Sequence, residues 1–332
     1  MTDTKTLILT GADVRELLGL DDCIDTVERV FGMLGRGEVP DPGVLGVHVP
    51  GGGFHIKAAC AQLGRSYFAA KTNANFPDNP RQRGLPSIQG VIVLSDARDG
   101  RPLAILDSME ITTLRTGAAT GVAARHLARS DSTVATIVGC GIQGRAQLRS
   151  IMAVLPGLSR IWAIDRDPTV AQGFAREMGE ELGVPIQVTD DLSAAVRDSD
   201  VCVTCTPARR ALLGPADVRP GTFVAAVGAD NPEKNEVDPL LMQASTVIVD
   251  VLEQCAEIGE LHHAVSAGVM SAGAVAGQLG DVVAGTVQCR ANSSDTVIFD
   301  STGTALQDVA AAALVYERAV AGGHDRAVRL GA

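Results

Sequence analysis

The sequence predicts an α/β protein in which a doubly wound parallel sheet is inserted into an α+β domain. Residues 133–144 read TVATIVGCGIQG, a β-branched and apolar run that ends in a glycine-rich turn. From this turn the chain alternates strand and helix patterns for well over a hundred residues, as doubly wound sheets do. The segment before the turn lacks this regular alternation and is typical of an α+β domain.

The length and composition favour two domains. A chain of 332 residues exceeds the size at which one hydrophobic core keeps growing, and a hydrophobic content of 46% supplies both cores. We predict that residues 1–115 and 306–332 form one domain, and that residues 116–305 form the second, doubly wound domain.

Charge and terminal sequence exclude several partners. The formal net charge is −11 and no Lys/Arg-rich run occurs, so nucleic acid is not an expected partner. The N-terminal residues lack the basic and apolar regions of a signal peptide, and no window has the apolar length needed to span a bilayer. We therefore expect a cytoplasmic protein with no membrane partner.

Metal and disulfide chemistry are not indicated. The chain has 7 cysteines and 6 histidines, without paired metal-ligand spacing. Cys202 and Cys205 form a CxxC, but they lie in an apolar strand pattern where residues three apart point to opposite faces. We interpret them as core residues and expect reduced thiols and no bound metal.

The first domain reads as a mixture of elements. We predict a helix over about 13–35, a turn-rich stretch over 37–53, strands near 54–61 and 67–73, and a hairpin of strands 90–96 and 102–107. Asp107 and Glu110 form a variant capping box that starts a long helix, which continues to about residue 128.

The second domain reads as a regular alternation. We predict strands at 133–138, 160–165, 185–189, 200–205, 222–228 and 245–250, with helices over about 142–155 and 168–182 and shorter ones later. A further strand at 296–299 leads into an alanine-rich helix that ends near residue 320. We expect this last helix to leave the Rossmann domain and pack on the first domain.

The glycine-rich turn predicts a dinucleotide site. Gly139 permits the tight turn, Gly141 admits a pyrophosphate, and Gly144 lets the helix pack close to the strand. Asp165 ends the second strand about 20 residues further on, where a carboxylate binds a ribose 2′-hydroxyl. NAD is therefore the expected cofactor, and NADP is the alternative because Arg166 can accept a 2′-phosphate.

Charged residues in small or apolar surroundings are the candidate catalytic groups. Asp230 directly follows a buried strand, at the sheet edge where ligands bind, although Asp before Asn-Pro is also ordinary turn chemistry. Lys71 and Arg115 are costly to bury unless they meet an anion, such as a substrate carboxylate or a cofactor phosphate. The alternative is that Arg115 pairs with a protein carboxylate or extends to solvent. His55 and Lys57 share one strand face, either in the same cleft or at the surface.

Several ordered blocks resemble the ornithine cyclodeaminase/μ-crystallin family over almost the whole chain. They are KTNANFPDN, GLPSIQG, LRTGAATGVAARHLAR, IVGCGIQG, VGADNPEKNEVDP, VDVLEQC, GELHHAV, GDVVAG and IFDSTGTALQD. The pattern is most similar to the alanine dehydrogenases of this family, followed by the cyclodeaminases. The resemblance implies a homodimer. Residues 1–115 and 306–332, which include the C-terminal helix, would form the substrate-binding and dimerisation domain that builds the dimer sheet, and residues 116–305 would form the inserted NAD-binding Rossmann domain.

The resemblance also implies roles for individual residues. Lys71 and Arg115 would hold the substrate carboxylate, Asp230 would be the catalytic acid/base together with Lys71, and Asn231 and Thr302 would approach the substrate. The residues implied to line the cofactor are Ser87, Arg115, Ile142, Gln143, Asp165, Thr206, Val227, Lys234 and Ser301. The μ-crystallin and ketimine reductase branches lack the Asp at position 230, so Asp230 favours the branches that oxidise amino acids.

One departure from the family pattern concerns the substrate. Cyclodeaminases carry an acidic residue near the position of His55, and many members have an Arg slightly upstream. This chain has HIKAA there and no Arg between Gly37 and Lys57. The missing acidic residue disfavours ornithine, and we hypothesise that Lys57 replaces the upstream Arg or meets a second carboxylate.

The expected activity is hydride transfer between Cα of a small L-amino acid and NAD, through an imine. Water attack on the imine gives an alanine dehydrogenase-like reaction that releases a 2-oxo acid, and the reverse reaction is imine reduction. Attack by a side-chain amine gives an ornithine cyclodeaminase-type reaction with recycled NAD. A μ-crystallin-like nucleotide-dependent binding protein is the alternative of another class.

Overall fold

The computed structural model describes residues 5–330. The outermost positions of the expected first domain, 1–4 and 331–332, lie outside the described residues. The chain divides into two compact units. The first unit holds the described residues up to Arg115 and those from Thr304 on, and the second holds Thr116–Gly303. No helix within residues 5–330 combines the length and apolar character required to cross a membrane.

The elements follow one another along the chain in three groups. The first group is β1 (Lys5–Leu9), α1 (Gly11–Leu17), α2 (Leu20–Gly35), β2 (Gly43–Val49), β3 (Gly52–Leu63), β4 (Arg65–Asn75), α3 (Asn79–Arg83), β5 (Ile88–Asp96), β6 (Pro102–Asp107) and α4 (Ser108–Leu127). The second group is β7 (Val134–Val138), α5 (Ile142–Val154), β8 (Arg160–Ile164), α6 (Pro168–Leu182), β9 (Ile186–Val188), α7 (Leu192–Asp198), β10 (Val201–Thr204), β11 (Arg209–Leu213), β12 (Phe223–Ala226), β13 (Asn235–Val237), α8 (Pro239–Gln243), β14 (Thr246–Val249), α9 (Leu252–Ile258), α10 (Glu260–Ser266), a 3₁₀ turn (Ala272–Ala274), β15 (Gly277–Gln278), α11 (Leu279–Val283) and β16 (Val297–Asp300). The last group is α12 (Ala305–Ala321) and β17 (Ala327–Arg329).

The first unit is built on a seven-stranded mixed sheet. The strand order is β17-β1-β6-β5-β4-β3-β2, with β1 and β6 parallel and the other neighbours antiparallel. Helix α12 packs on α2 and on strands β3 and β4. Its alanine-rich sequence leaves eleven buried residues along its length, so the helix approaches the sheet closely.

Two details of the predicted first domain are wrong. The single helix expected over 13–35 is two helices, because Leu18 takes an extended conformation and α1 has its own capping box between Thr10 and Asp13. The turn-rich stretch over 37–53 contains β2, which pairs antiparallel with β3. All seven residues of β2 are exposed, so the strand has no alternation of buried and exposed residues to reveal it.

The second unit is built on an eight-stranded parallel sheet. The strand order is β15-β14-β16-β12-β10-β7-β8-β9, and every neighbouring pair is parallel. The chain runs from β7 outward through β8 and β9, then returns to the other side of β7 at β10, which creates the topological switch point of a Rossmann sheet. Strands β7, β10, β12 and β16 are entirely buried. The predicted fold class is confirmed.

Candidate functional site

The glycine-rich turn joins β7 to α5 at the carboxyl edge of the parallel sheet. Gly139 has φ +101°, which glycine adopts without steric cost. A Cβ at Gly144 would overlap the carbonyl oxygen of Gly139, whereas a Cβ at Gly141 would meet nothing within 4 Å. Gly141 caps α5 without a side-chain hydrogen bond. Open space therefore lies beside the N-cap residue of this 13-residue helix, as a phosphate site requires.

Asp165 lies beside this turn, directly after β8. Its carboxylate accepts hydrogen bonds from the N–H groups of Cys140 at 2.9 Å and Asp167 at 3.0 Å. Each carboxylate oxygen retains capacity to accept a further hydrogen bond, so a ribose hydroxyl fits here. Arg166 is exposed, and Ile142 at the start of α5 is 71% exposed.

Asp230 follows β12 and contacts two polar side chains of the second unit, those of Lys234 and Asn231. Its side chain is 46% exposed, and the Nζ of Lys234 lies 2.7 Å from its Oδ1. The side-chain amide of Asn231 donates to the same oxygen at 3.1 Å. The Lys234 carbonyl oxygen in turn lies 2.7 Å from the ring nitrogen Nε2 of His263. The structure thus brings the predicted Asp230, Asn231 and Lys234 together.

Ser301 and Thr302 follow the neighbouring strand β16 and are buried. The Thr302 hydroxyl donates to Asp250 at 3.0 Å and accepts from the amide of Gln254 at 2.6 Å. The Ser301 N–H donates to the Ala226 carbonyl at 3.0 Å. Because β12 and β16 are parallel neighbours, Asp230 and Thr302 both follow strands that end at the same edge of the sheet.

Glu236 was not found from the sequence, although it organises this edge. Its carboxylate accepts from the Thr206 N–H at 2.7 Å, the Thr206 hydroxyl at 2.6 Å and the Gly228 N–H at 2.8 Å. Burial raises the pKa of Glu236, and these hydrogen bonds oppose that rise. One side chain therefore ties together the segments after β10 and β12, which carry Thr206, Val227 and Asp230.

Lys71 and Arg115 meet a common carboxylate inside the first unit. The Lys71 Nζ lies 2.9 Å from Oδ1 and 2.8 Å from Oδ2 of Asp308, in the first turn of α12. The Arg115 Nε lies 3.2 Å from the same Oδ1, and its Nη1 donates to Gln307 at 2.7 Å. All these side chains are buried. Of the partners that the sequence left open for Arg115, the structure supplies a protein carboxylate.

The electrostatics of this cluster are unusual for a lysine. Burial, together with the charges of Arg115 and Lys57, lowers the pKa of Lys71 to about 7, against the opposing pull of Asp308. Burial alone would raise the pKa of Asp308, but the cations Lys71 and Arg115 outweigh it and lower that pKa. The cluster therefore holds an ionised carboxylate beside a lysine that titrates near neutral pH.

Strand β3 carries the other two predicted substrate residues. Lys57 is buried and stands directly opposite Lys71 in the β3–β4 ladder, while the partly buried His55 stands opposite Asn73. Ser87 lies just before β5, and its carbonyl accepts from the Phe76 N–H at 2.7 Å. The first unit thus gathers Lys57, Lys71 and Arg115, but Ser87 is not part of that cluster.

Other side chains in the described range offer no metal site. Between residues 5 and 330, no group of three or more His, Cys, Asp or Glu side chains is arranged to hold a metal ion. Cys202 is buried and Cys205 partly buried, both as free thiols.

Fold and site together define a Rossmann-type protein with a separate unit that holds a buried cation cluster. The chain matches the model of the ornithine cyclodeaminase/mu-crystallin family over residues 4–323 and belongs to that family. The alanine dehydrogenase of Archaeoglobus fulgidus is 35% identical to it, over 95% of this chain and 96% of the relative.

Two solved structures extend the comparison. An archaeal alanine dehydrogenase dimer with bound NAD has a TM-score of 0.94 and 34% identity, covering 98% of this chain and 100% of its own. The Delta(1)-pyrroline-2-carboxylate reductase of Thermococcus litoralis, in complex with NADH and L-proline, has a TM-score of 0.87 and 31% identity, covering 96% of this chain and 98% of its own.

Proposed function

We propose that this chain is an NAD-dependent oxidoreductase that transfers a hydride at Cα of a small L-amino acid, in the manner of the alanine dehydrogenases it resembles. An amino acid, NAD and water give a 2-oxo acid, ammonia, NADH and a proton by way of an imine, and the reverse reaction reduces the imine. The observation that carries the proposal is the buried Lys71–Asp308–Arg115 cluster, in which two cations share one protein carboxylate.

NAD is the cofactor that the glycine-rich turn and Asp165 fit best. The open space before α5 suits the pyrophosphate, and a carboxylate at the end of β8 suits a ribose hydroxyl better than a 2′-phosphate. The solved relatives with bound NAD or NADH support the same choice. Bound NAD supplies the hydride acceptor, and the protein supplies orientation and proton transfer.

Lys71 and Arg115 bind the carboxylate of the amino acid in this proposal. Arg115 has hydrogen-bond donors beyond those that Asp308 and Gln307 use, since a guanidinium has five. The Lys71 ammonium has three, and among the described residues it makes, besides Asp308, only a long hydrogen bond of 3.5 Å to the Thr112 hydroxyl, which a substrate carboxylate can replace. Two fixed donors hold the substrate in one orientation, which fixes the face of Cα from which hydride leaves. Because the pKa of Lys71 is about 7, its protonation also controls the affinity for the carboxylate.

Asp230 is the proposed acid/base. Its half-exposed carboxylate at the carboxyl edge of the sheet can take a proton from the substrate ammonium group, release that proton to solvent, and then take one from the water that adds to the imine. Lys234 and Asn231 hold the carboxylate oxygen in place. Thr302, after the neighbouring strand, is proposed to approach the substrate.

We also propose a homodimer formed through the edge of the seven-stranded sheet. Strand β2 ends that sheet and exposes Val44, Leu45, Val47 and Val49 at 36–58%. An exposed apolar edge strand is a liability unless another chain covers it. The archaeal alanine dehydrogenase relative is described as a dimer.

The decisive experiment mixes the purified protein with NAD and a panel of L-amino acids, and records NADH and ammonia together. NADH rising in step with ammonia supports the dehydrogenase. Ammonia without net NADH, obtained only from ornithine or lysine, would replace it with a cyclodeaminase. NAD binding without any turnover would leave a μ-crystallin-like binding protein.

A further inference from the structure

A cavity of about 450 Å³ opens in the first unit, between the second half of α12 and strands β1, β6 and β17. Its volume falls in the range of small-molecule sites, roughly 300–1,000 Å³. Of the described residues that line it, four are basic and one is acidic: Lys5, Arg65, Arg101 and His324, against Asp325. A concave surface lined mainly by one sign of charge favours a ligand of the opposite sign. The cavity therefore favours an anionic small molecule.

The guanidinium groups of Arg65 and Arg101 converge on one buried carboxylate, that of Asp96. The Arg65 Nε lies 3.8 Å and the Arg101 Nη2 3.7 Å from the same oxygen, Oδ2. Both distances are longer than a hydrogen bond. Asp96 instead accepts hydrogen bonds from Arg98, from its N–H at 3.0 Å and from its Nε at 3.3 Å. Asp96 thus holds the two cavity arginines close to each other and leaves hydrogen-bond donors on both.

Arg101 has an unmet hydrogen-bonding requirement. Its Nε is buried and has no hydrogen-bond partner among the described residues, since the Asp99 Oδ2 is 3.6 Å away. Buried polar atoms are paired in nearly all native structures, with protein, water or ligand. Arg65 hydrogen-bonds to Tyr316 of α12, and a guanidinium has five donors. The pair therefore has donors for the oxygens of an anion in the cavity.

A phosphate monoester matches this pair better than a carboxylate does. It carries about −1.5 to −2 charge at pH 7 and three acceptor oxygens, and each guanidinium can bind two such oxygens through parallel N–H groups. The side chains of Leu7 and Leu103 line the same cavity. They offer an apolar surface to the carbon skeleton of a monoester, which inorganic phosphate lacks.

The cavity is separate from the Lys71–Asp308–Arg115 cluster. Arg65 precedes Lys71 on β4 by six residues, which span about 20 Å in a strand. Tyr316 follows Asp308 on α12 by eight residues, which span about 12 Å in a helix. Strands β17 and β1 also lie at the opposite end of the sheet from β2, the proposed dimer edge.

We propose that this cavity is a second ligand site, which binds a small phosphate monoester. The phosphate lies between Arg65 and Arg101, and the carbon skeleton lies against Leu7 and Leu103. The site is independent of the proposed amino-acid chemistry. Because its walls come from both ends of the chain, a bound ligand also links α12 and β17 to the N-terminal strands.

The test is isothermal titration calorimetry of the NAD-saturated protein with phenyl phosphate and with inorganic phosphate. Saturating NAD fills the glycine-rich turn, which is the other expected phosphate site of the chain. The wild type is expected to bind phenyl phosphate with a Kd of about 1 mM or below. Inorganic phosphate should bind about tenfold more weakly, because it leaves the apolar wall uncovered.

Arg65→Gln and Arg101→Gln each remove a cation from the cavity and should raise the Kd for phenyl phosphate about tenfold or more, because charged hydrogen bonds are lost. Arg98→Gln is the matched control. It removes a cation from the same Asp96, but Arg98 is 68% exposed and does not line the cavity. Its Kd should stay within about twofold of the wild type.

A further variant keeps the test decisive if either arginine variant fails to fold. Val320 lines the cavity and is 51% exposed, so Val320→Glu can be accommodated at the surface of α12. It places a like charge beside the phosphate and should raise the Kd about tenfold or more.

Binding that the cavity variants weaken and Arg98→Gln preserves supports the site. No binding in the wild type, or a Kd that every folded cavity variant leaves unchanged, overturns it. Equal affinity for phenyl phosphate and inorganic phosphate overturns the monoester class, because the apolar wall then contributes nothing. None of these outcomes depends on whether the protein oxidises amino acids.

Discussion

Both carboxylate oxygens of Asp308 lie within 2.9 Å of the Lys71 ammonium, in the interior of the first unit. This ion pair joins the first turn of α12 to β4. Replacing Asp308 by Asn leaves Lys71 and Arg115 without a compensating charge, and breaking a buried pair in this way typically costs about 3–5 kcal/mol. We expect a loss of that size in the free energy of unfolding, measured by urea denaturation.

A matched control for Asp308→Asn is Glu180→Gln, an equivalent loss of one carboxylate at an exposed position of α6. It should change the free energy of unfolding by no more than about 0.5 kcal/mol. If the two variants have similar stability, the Asp308 ion pairs contribute little to the fold.

Carboxylate binding should weaken as pH rises above neutral. With the pKa of Lys71 at about 7, the ammonium that binds a carboxylate is lost progressively at higher pH. The Kd for pyruvate, which has no amine to titrate, should rise about tenfold per pH unit between pH 7.5 and 9. Isothermal titration calorimetry in one buffer series measures this directly.

Lys71→Arg provides the comparison for this pH dependence, because a guanidinium stays protonated throughout the range. Its Kd for pyruvate should be nearly independent of pH, even where it is weaker than that of the wild type. A slope that persists in Lys71→Arg would assign the titration to another group.

Asp230→Asn should abolish most turnover and spare cofactor binding. Loss of a general acid/base typically lowers kcat by about 10²- to 10⁴-fold. The Kd for NAD, measured by fluorescence quenching, should stay within about threefold. Glu233→Gln removes a nearby carboxylate that is 66% exposed and paired with Arg209, and it should leave kcat unchanged. Equal rates in the two variants would exclude the proposed role of Asp230.

Substitution by alanine should have different effects at Gly141, the N-cap residue of α5, and at Gly144, in its first turn. Gly141→Ala meets no protein atom within 4 Å and has an ordinary φ of −77°. It should therefore fold normally, yet weaken NAD binding at least tenfold by filling the open space. Gly144→Ala would overlap the Gly139 carbonyl and should lower Tm by several degrees. Normal NAD affinity in Gly141→Ala would contradict a phosphate site there.

Association through β2 should be sensitive to charge at its exposed apolar positions. Leu45→Glu places a carboxylate on that edge and should convert a dimer into a 34.3 kDa monomer, as measured by light scattering after size exclusion. The control is Val188→Glu. Val188 is 39% exposed on β9, the edge strand of the parallel sheet, and this substitution should leave the mass unchanged. A monomeric wild type would end the dimer proposal.

Most of the second unit could be predicted from sequence because its strands are short apolar runs between amphipathic helices. The predicted helix over 168–182 agrees with α6 at both ends, where Asp167 caps it and Gly183 follows with φ +66°. The apolar pattern did not predict strand β2, because all of its residues are exposed and no alternation of buried and exposed positions marks it as a strand. It forms a hairpin with β3, in which Val49 pairs with Gly52 across the turn at Pro50 and Gly51, and this local pairing fixes its structure.

The sequence analysis identified the cations of the candidate site but missed the carboxylate that pairs with them. Lys71 and Arg115 stood out as charges in small-residue segments, and the same rule applied to ALQD in the alanine-rich helix would have indicated Asp308. Glu236 gave no such signal, because a glutamate in KNEVDP looks like an ordinary surface residue. Only the fold reveals that it receives three hydrogen bonds from two loops.

The order of strands in the seven-stranded sheet has a consequence for biosynthesis. Strand β1 pairs with β17, and β3 and β4 are covered by α12, so the first unit stays incomplete until α12 and β17 have been synthesised. The second unit, Thr116–Gly303, is continuous and can fold earlier. At about 5–20 residues per second, synthesis of the roughly 230 residues from the end of β4 to the start of α12 takes about 12–46 s. The nascent chain is therefore most vulnerable to aggregation in its first third, and chaperone dependence should concentrate there.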